Sequence, residues 1–246
     1  MINVPKIIPV WKKVGESTHV IAHQIAQKYG VLTSHTGTLD PMAEGVVIIL
    51  TGEERLKKYE YAHWLKTYEF TMIFGIDTDS YDGLGFPTLC STTPFARTQL
   101  EEVLKSFNGS YTQTVPPYAA IKVKGKPLHW YARNNLLNTI ELPTRSGDLS
   151  NIKLLDFYEL ELSKITHRVL NNIASVVGDL RQEEVSNAWA KLSTVYKNFY
   201  AAQITVTTTK GLYVRGLAVD IAKRLCTYGF VLELIRTKNG DYTFAE

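Results

Sequence analysis

His35-Thr36-Gly37-Thr38-Leu39-Asp40-Pro41-Met42-Ala43-Glu44-Gly45 is the stretch on which the reading of this chain turns. It sets one carboxylate, Asp40, among two glycines, a proline and short polar side chains. Pro41 fixes its own φ, and Gly37 and Gly45 let neighbouring backbone approach closely. The Asp40 carboxylate is therefore expected on a rigid loop between two regular elements. Composition alone allows a plainer role, an Asx-type turn in which Asp40 only accepts nearby backbone N–H groups.

Upstream of this loop, Ser17 or Thr18 can cap a helix running to Tyr29, with Ile21, Ile25 and Tyr29 on one face and Gly30 as its stop. Downstream, Val46 to Leu50 is an apolar run of strand length. Tyr68, Phe70, Met72 and Phe74 alternate with the period of a strand that buries one face. Leu100, Val103, Leu104 and Phe107 have helical spacing and are followed by Gly109. The segment 163–198 reads as mostly helical with a break near Gly178, and 201–209, rich in Thr, Val and Ile, reads as a strand. Leu217, Ile221 and Leu225 mark a last helix. Strands and helices that alternate irregularly predict the α+β class.

At 246 residues, 45% hydrophobic and 21% charged, the chain has the balance of a globular protein with a sizeable core. It contains no apolar run of the roughly 18 residues a spanning helix needs, and Met1-Ile2-Asn3-Val4-Pro5-Lys6 lacks a secretory apolar core. Cys90 and Cys226 have no partner at metal-ligand spacing, so a reducing intracellular setting, the cytoplasm first, is expected. Net charge is only +3, but basic residues are segregated. Lys122, Lys124, Lys126, Arg133 and Arg145 face only Glu141, and a second basic segment runs from Lys210 to Lys238. Such segments suit a phosphate-lined surface, or merely two solvated faces. Asp77, Asp79 and Asp82 are spaced like a calcium loop, yet Asp82 stands where the turn glycine belongs.

The stretch 35–45 closely resembles the signature of the tRNA pseudouridine synthase B (TruB) family, whose Asp is the catalytic nucleophile. Further matches follow in the family's order. Lys12-Lys13-Val14-Gly15-Glu16-Ser17-Thr18 is similar to the opening motif, with Lys13 in place of the usual proline. Lys66-Thr67-Tyr68 begins the strand that carries an active-site tyrosine, and Gly75-Ile76-Asp77-Thr78-Asp79-Ser80-Tyr81-Asp82-Gly83-Leu84-Gly85 resembles the family's Thr-Asp-Thr loop. Gln113, Pro116, Pro117, Lys122, Gly125 and Ala132-Arg133 are similar to an RNA-clasping segment, with Ala119-Ala120 where Ser-Ala is usual. Lys210-Gly211-Leu212-Tyr213-Val214-Arg215 and Leu234-Ile235-Arg236-Thr237 look like the last two motifs.

The resemblance implies a pseudouridine synthase fold, a mixed and mostly antiparallel sheet flanked by helices. It implies one catalytic domain over 1–246, an RNA-clasping insertion over 110–147, an extra helical insertion over 163–200 with no assigned role, and no C-terminal RNA-binding (PUA) domain. Asp40 is the expected nucleophile and Arg215 the partner that holds its carboxylate. Tyr68 is expected to stack on the target base, Tyr213 and Leu234 to lie near it, and His35 to fill the gap it leaves. Lys12, Lys122, Lys124, Arg133 and Lys210 are assigned to RNA phosphates. The implied substrate is uridine 55 in the T-loop of transfer RNA, with no cofactor, metal or membrane, acted on by a monomer. The rival reading is a non-catalytic RNA-binding or RNA-folding protein on the same scaffold.

Overall fold

The computed structural model describes residues 4–90, 94–192 and 197–243. Met1 to Asn3, and 193–196 of the expected helical segment, lie outside the described residues. The chain opens with β1 (Ile7–Lys12), α1 (Thr18–Tyr29), β2 (Thr33–His35), β3 (Glu44–Thr51), α2 (Lys58–Ala62) and β4 (Lys66–Phe74). A small hairpin, β5 (Ile76–Thr78) with β6 (Pro87–Leu89), precedes α3 (Arg97–Lys105) and β7 (Gly109–Thr114). Next come the short β8 (Lys122–Val123), β9 (Lys126–Pro127) and α4 (Leu128–Arg133), then β10 (Thr144–Glu161), α5 (Leu162–Ser175) and α6 (Gln182–Leu192). The chain finishes with β11 (Asn198–Thr208), α7 (Val214–Arg224), β12 (Gly229–Asn239) and β13 (Tyr242–Thr243).

A nine-stranded sheet with the path β1-β3-β12-β4-β11-β10-β7 organises these elements, and β2 and β13 pair at β3 and β12. Among the described residues only β12 and β3 run parallel in this sheet, and its other strand pairs are antiparallel. The expected α+β class and mostly antiparallel sheet are what the chain adopts.

The central strands differ from expectation in one respect. Alternation along β4 predicts one buried face, but from Phe70 to Phe74 every residue is buried. Phe70, Met72 and Phe74 meet α3 and α7 through Leu100, Leu104, Leu217 and Ile221. Ile73 points to the opposite face, where α5 and α6 pack Ile165, Val169, Val185 and Trp189. The helical insertion is thus a second layer that covers the back of the sheet. The apolar run in β3 has the same cause: Val47 and Ile49 meet α1 on one side, while Val46, Ile48 and Leu50 meet Trp64 and Tyr242 on the other.

α5 and α6 interrupt a hairpin, since β10 and β11 pair antiparallel from Leu149↔Thr208 to Glu161↔Asn198. β10 has no clean two-residue period to announce it, because register shifts after Ser150 and after Leu154 break the alternation. A second excursion, 115–143, leaves the sheet between β7 and β10 and carries its own small cluster of Val115, Ala119 and Leu128. α1 ends as its sequence suggests, with Gly30 at φ 65°. Its start does not: Ser17 makes no side-chain cap bond, and the Thr18 hydroxyl accepts from Leu39 N–H at 3.4 Å. Among the described residues no helix is long and apolar enough to cross a membrane.

Candidate active site

The loop bearing Asp40 joins β2 to β3 at the edge where β12 enters beside β3. Two buried cations hold it by its carbonyls. Lys12 Nζ donates to Ala43 O at 2.6 Å and to Asp40 O at 3.1 Å. Arg236 Nε donates to Val46 O at 2.6 Å, and its other two nitrogens reach Thr38 O and Gly37 O, each at 3.4 Å. Gly15 N–H adds a bond to Pro41 O at 2.9 Å. With its backbone oxygens engaged behind, the loop is rigid and the Asp40 side chain faces outward. Gly45 makes this junction possible: at φ +123°, a Cβ there would stand 2.3 Å from Arg236 O.

Arg215, in the first turn of α7, meets the outward carboxylate. Its Nε and Nη2 donate to Asp40 Oδ2 and Oδ1 at 2.8 and 2.9 Å, a two-pronged pair that fixes carboxylate direction as well as charge. Its remaining Nη1 donates to Ser80 O at 2.7 Å, and Asp82 Oδ2 lies 3.5 Å from Nε. Burial by itself would lower the Arg215 pKa, but Asp40 and Asp82 more than offset this and raise it, so the guanidinium stays charged. Burial pushes the Asp82 carboxyl upward, against the pull of Arg215 and of the Ser80 hydroxyl.

The Arg215 side chain is 2% exposed while that of Asp40 is 28% exposed, so this pair is closed behind and open in front. In front lies a cavity of ≈400 Å³ whose wall includes Leu39, Asp40, Asp82, Tyr118, Arg133 and Arg215. That volume lies within the range of small-ligand sites, roughly 300–1,000 Å³. A fixed carboxylate that faces such a space, clamped by an arginine, has the chemistry to act as a nucleophile.

Of the residues singled out from sequence, Asp40, Arg133 and Arg215 line this cavity. Tyr68 and Leu234 are buried in one cluster with Met42 and Ala43, beneath the Asp40 loop. Tyr213 precedes Arg215, and burial followed by the Asp40 charge raises its phenol pKa. His35 stands apart, in a groove with His19, His23 and Lys58 on the other side of the loop. Burial first, then His19 and Lys58, lower its pKa, and its Nδ1 is buried without a partner. Lys122 and Lys124 are exposed on the 115–143 excursion, and Lys210 is exposed near the Tyr59 ring.

One assignment is corrected. Lys12 is fully buried and its ammonium is spent on loop carbonyls, so it is out of reach of RNA phosphate. Its place at the end of β1, opposite Gly45, turns the side chain inward. Burial holds its pKa down to about 8 from 10.5. Between those values the unfolded chain binds the larger number of protons, so the Lys12 contribution to stability rises with pH across that window. Lys12→Met is expected to remove this slope and to cost about 1–3 kcal/mol at neutral pH through the carbonyls left bare. Urea midpoints of both proteins at three pH values between neutrality and pH 10 check it; parallel curves would refute it.

Positioning residues that sequence reading passed over lie inside the quoted motifs. Gln113 brackets Tyr213 with two bonds, Tyr213 N–H to its Oε1 at 2.6 Å and its Nε2 to Tyr213 O at 3.1 Å. Ser80 Oγ and Leu84 N–H hold the Asp82 carboxylate at 2.6 and 2.9 Å. Arg236 was visible only as a motif member, and no local signal marks it as a clamp. The helical insertion buttresses the same loop: Trp189 Nε1 donates to Gly85 O at 3.1 Å, and a Cβ on Gly83 would lie 3.1 Å from Val169.

Residues 26–172 match the family described as TruB family pseudouridylate synthase (N terminal domain). The chain is 33% identical to a tRNA pseudouridine synthase B of Caldanaerobacter subterraneus subsp. tengcongensis, covering 98% of this chain and 70% of that one. It is 28% identical to one of Malacoplasma penetrans, covering 96% and 86%. Among solved structures, a chain of a Cbf5-Nop10-Gar1 complex superposes with a TM-score of 0.59 at 16% identity. That match covers 97% of this chain but spans only half the length of the solved one.

Proposed function

The chain belongs to the TruB family of pseudouridylate synthases, and on that premise we propose that it isomerises a uridine of transfer RNA to pseudouridine, with Asp40 as nucleophile. The observation that carries this reading is the Asp40 carboxylate held two-pronged by buried Arg215 at the wall of a base-sized cavity. The names of the relatives above point to transfer RNA, and the motif resemblance to uridine 55 of the T-loop.

The reaction conserves atoms. The N1–C1′ bond breaks, a C5–C1′ bond forms, the C5 proton leaves and N1 takes up a proton. Attack by Asp40 divides this exchange into two easier steps. The uridine must first leave its stack, at a cost of a few kcal/mol. Tyr68, with Leu234 and Tyr213, would pack on the extruded base, and an uncharged His35 suits a stacking role in the RNA left behind. Lys122, Lys124, Arg133 and Lys210 would meet phosphates in contacts that position RNA without reading its sequence.

Incubation of T-arm RNA with the purified chain, followed by nucleotide-resolution mapping of pseudouridine, tests the reading. One T-loop position is expected to convert. RNA that is bound but left wholly unconverted would favour the non-catalytic rival.

A further inference from the structure

The helical insertion reaches the catalytic cavity at its turn. Asp179, Leu180 and Arg181, between α5 and α6, form part of the cavity wall. Arg181 Nη1 lies 2.8 Å from Asp79 Oδ2, and its guanidinium stands over the rings of Tyr118 at 4.6 Å and Phe86 at 4.9 Å. Tyr118 Oη donates to the same Asp79 oxygen at 2.9 Å. Across the opening, Arg133 donates to the Asp179 carbonyl oxygen and lies 3.7 Å from its carboxylate. One short turn thus ties the 115–143 excursion to the Asp79 loop over the cavity mouth.

The two ties differ in strength. Arg181 is only 20% exposed and is backed by two aromatic faces, so it is the fixed anchor. The Asp179 carboxylate is 89% exposed and 3.7 Å from Arg133, so the ion-pair part of the second tie is weak, and beside it stands only the Arg133 bond to the Asp179 carbonyl oxygen. Arg133, meanwhile, is one of the cations on which phosphate binding would depend, and in the free chain a carboxylate occupies it.

We propose that this turn is a latch that RNA competes open: Arg181 pins it, Asp179 occupies Arg133, and a backbone phosphate of the incoming RNA takes the place of Asp179. The inference rests on the reading that the substrate is RNA. Exchanging the Asp179 carbonyl and carboxylate for a phosphate keeps Arg133 paired throughout, so opening needs no cation to be bared. In this account the insertion sets substrate affinity as well as covering the sheet.

The test is a double-mutant cycle on binding of a fluorescent T-arm hairpin, with Asp179→Asn, Arg133→Ala and both together, at low and high salt. Asp179→Asn is expected to bind about two- to fivefold more tightly at low salt, the range an exposed ion pair supplies. The gain should shrink at high salt and vanish in the Arg133→Ala background. Unchanged affinity in Asp179→Asn overturns the latch. An equal gain in both backgrounds overturns it too, since that would be a general charge effect. Wild-type protein that neither binds nor converts the hairpin overturns the functional reading itself, whereas normal conversion with a flat cycle removes the latch alone.

Discussion

Asp40→Asn is expected to lower pseudouridine formation by about 10⁴-fold or more while T-arm binding is retained, because a neutral amide replaces the attacking carboxylate and accepts only one of the two Arg215 bonds. Asparagine has nearly the same shape, so the loop clamped by Lys12 and Arg236 should keep its path. Arg215 would keep Ser80 O and the Asp82 carboxylate as partners, so the core under α7 stays satisfied. One negative charge fewer beside a polyanion should leave affinity equal or somewhat higher. Single-turnover conversion with excess protein separates this from a binding defect. Conversion at the wild-type rate would end the proposal that Asp40 is the nucleophile.

Replacing Arg215 should damage fold and chemistry together. Arg215→Met removes the cation that, among the described residues, pairs with Asp82 and leaves a buried carboxylate without its counter-charge, a change worth about 3–5 kcal/mol of stability. Arg215→Lys retains the charge and tests geometry. An ammonium cannot reach both Asp40 oxygens and Ser80 O as the planar fork does. The lysine variant is therefore expected to fold nearly as well as wild type yet to turn over about 10²-fold more slowly, the scale of a misaimed reacting group. Denaturant midpoints alongside single-turnover rates make the comparison. If lysine restored full turnover, charge alone would suffice and the two-pronged geometry would be incidental.

The sequence determined on its own whatever depends on neighbours along the chain. The helix before the Asp40 loop, its Gly30 stop, the β3 and β4 strands and the break near Gly178 follow from local periodicity and backbone preference. The motif wording pointed to Asp40 and Arg215 as partners although they are 175 residues apart. Tertiary structure alone decided which cations are free. Lys12 and Lys210 read alike in sequence, but one lies fully buried against loop carbonyls and the other is exposed. It likewise decided that β4 is buried on both faces and that the turn after α5 lines the cavity beside Asp40. The reason is that burial and pairing are set by what packs opposite a residue, and strand order, not adjacency in the chain, chooses that neighbour.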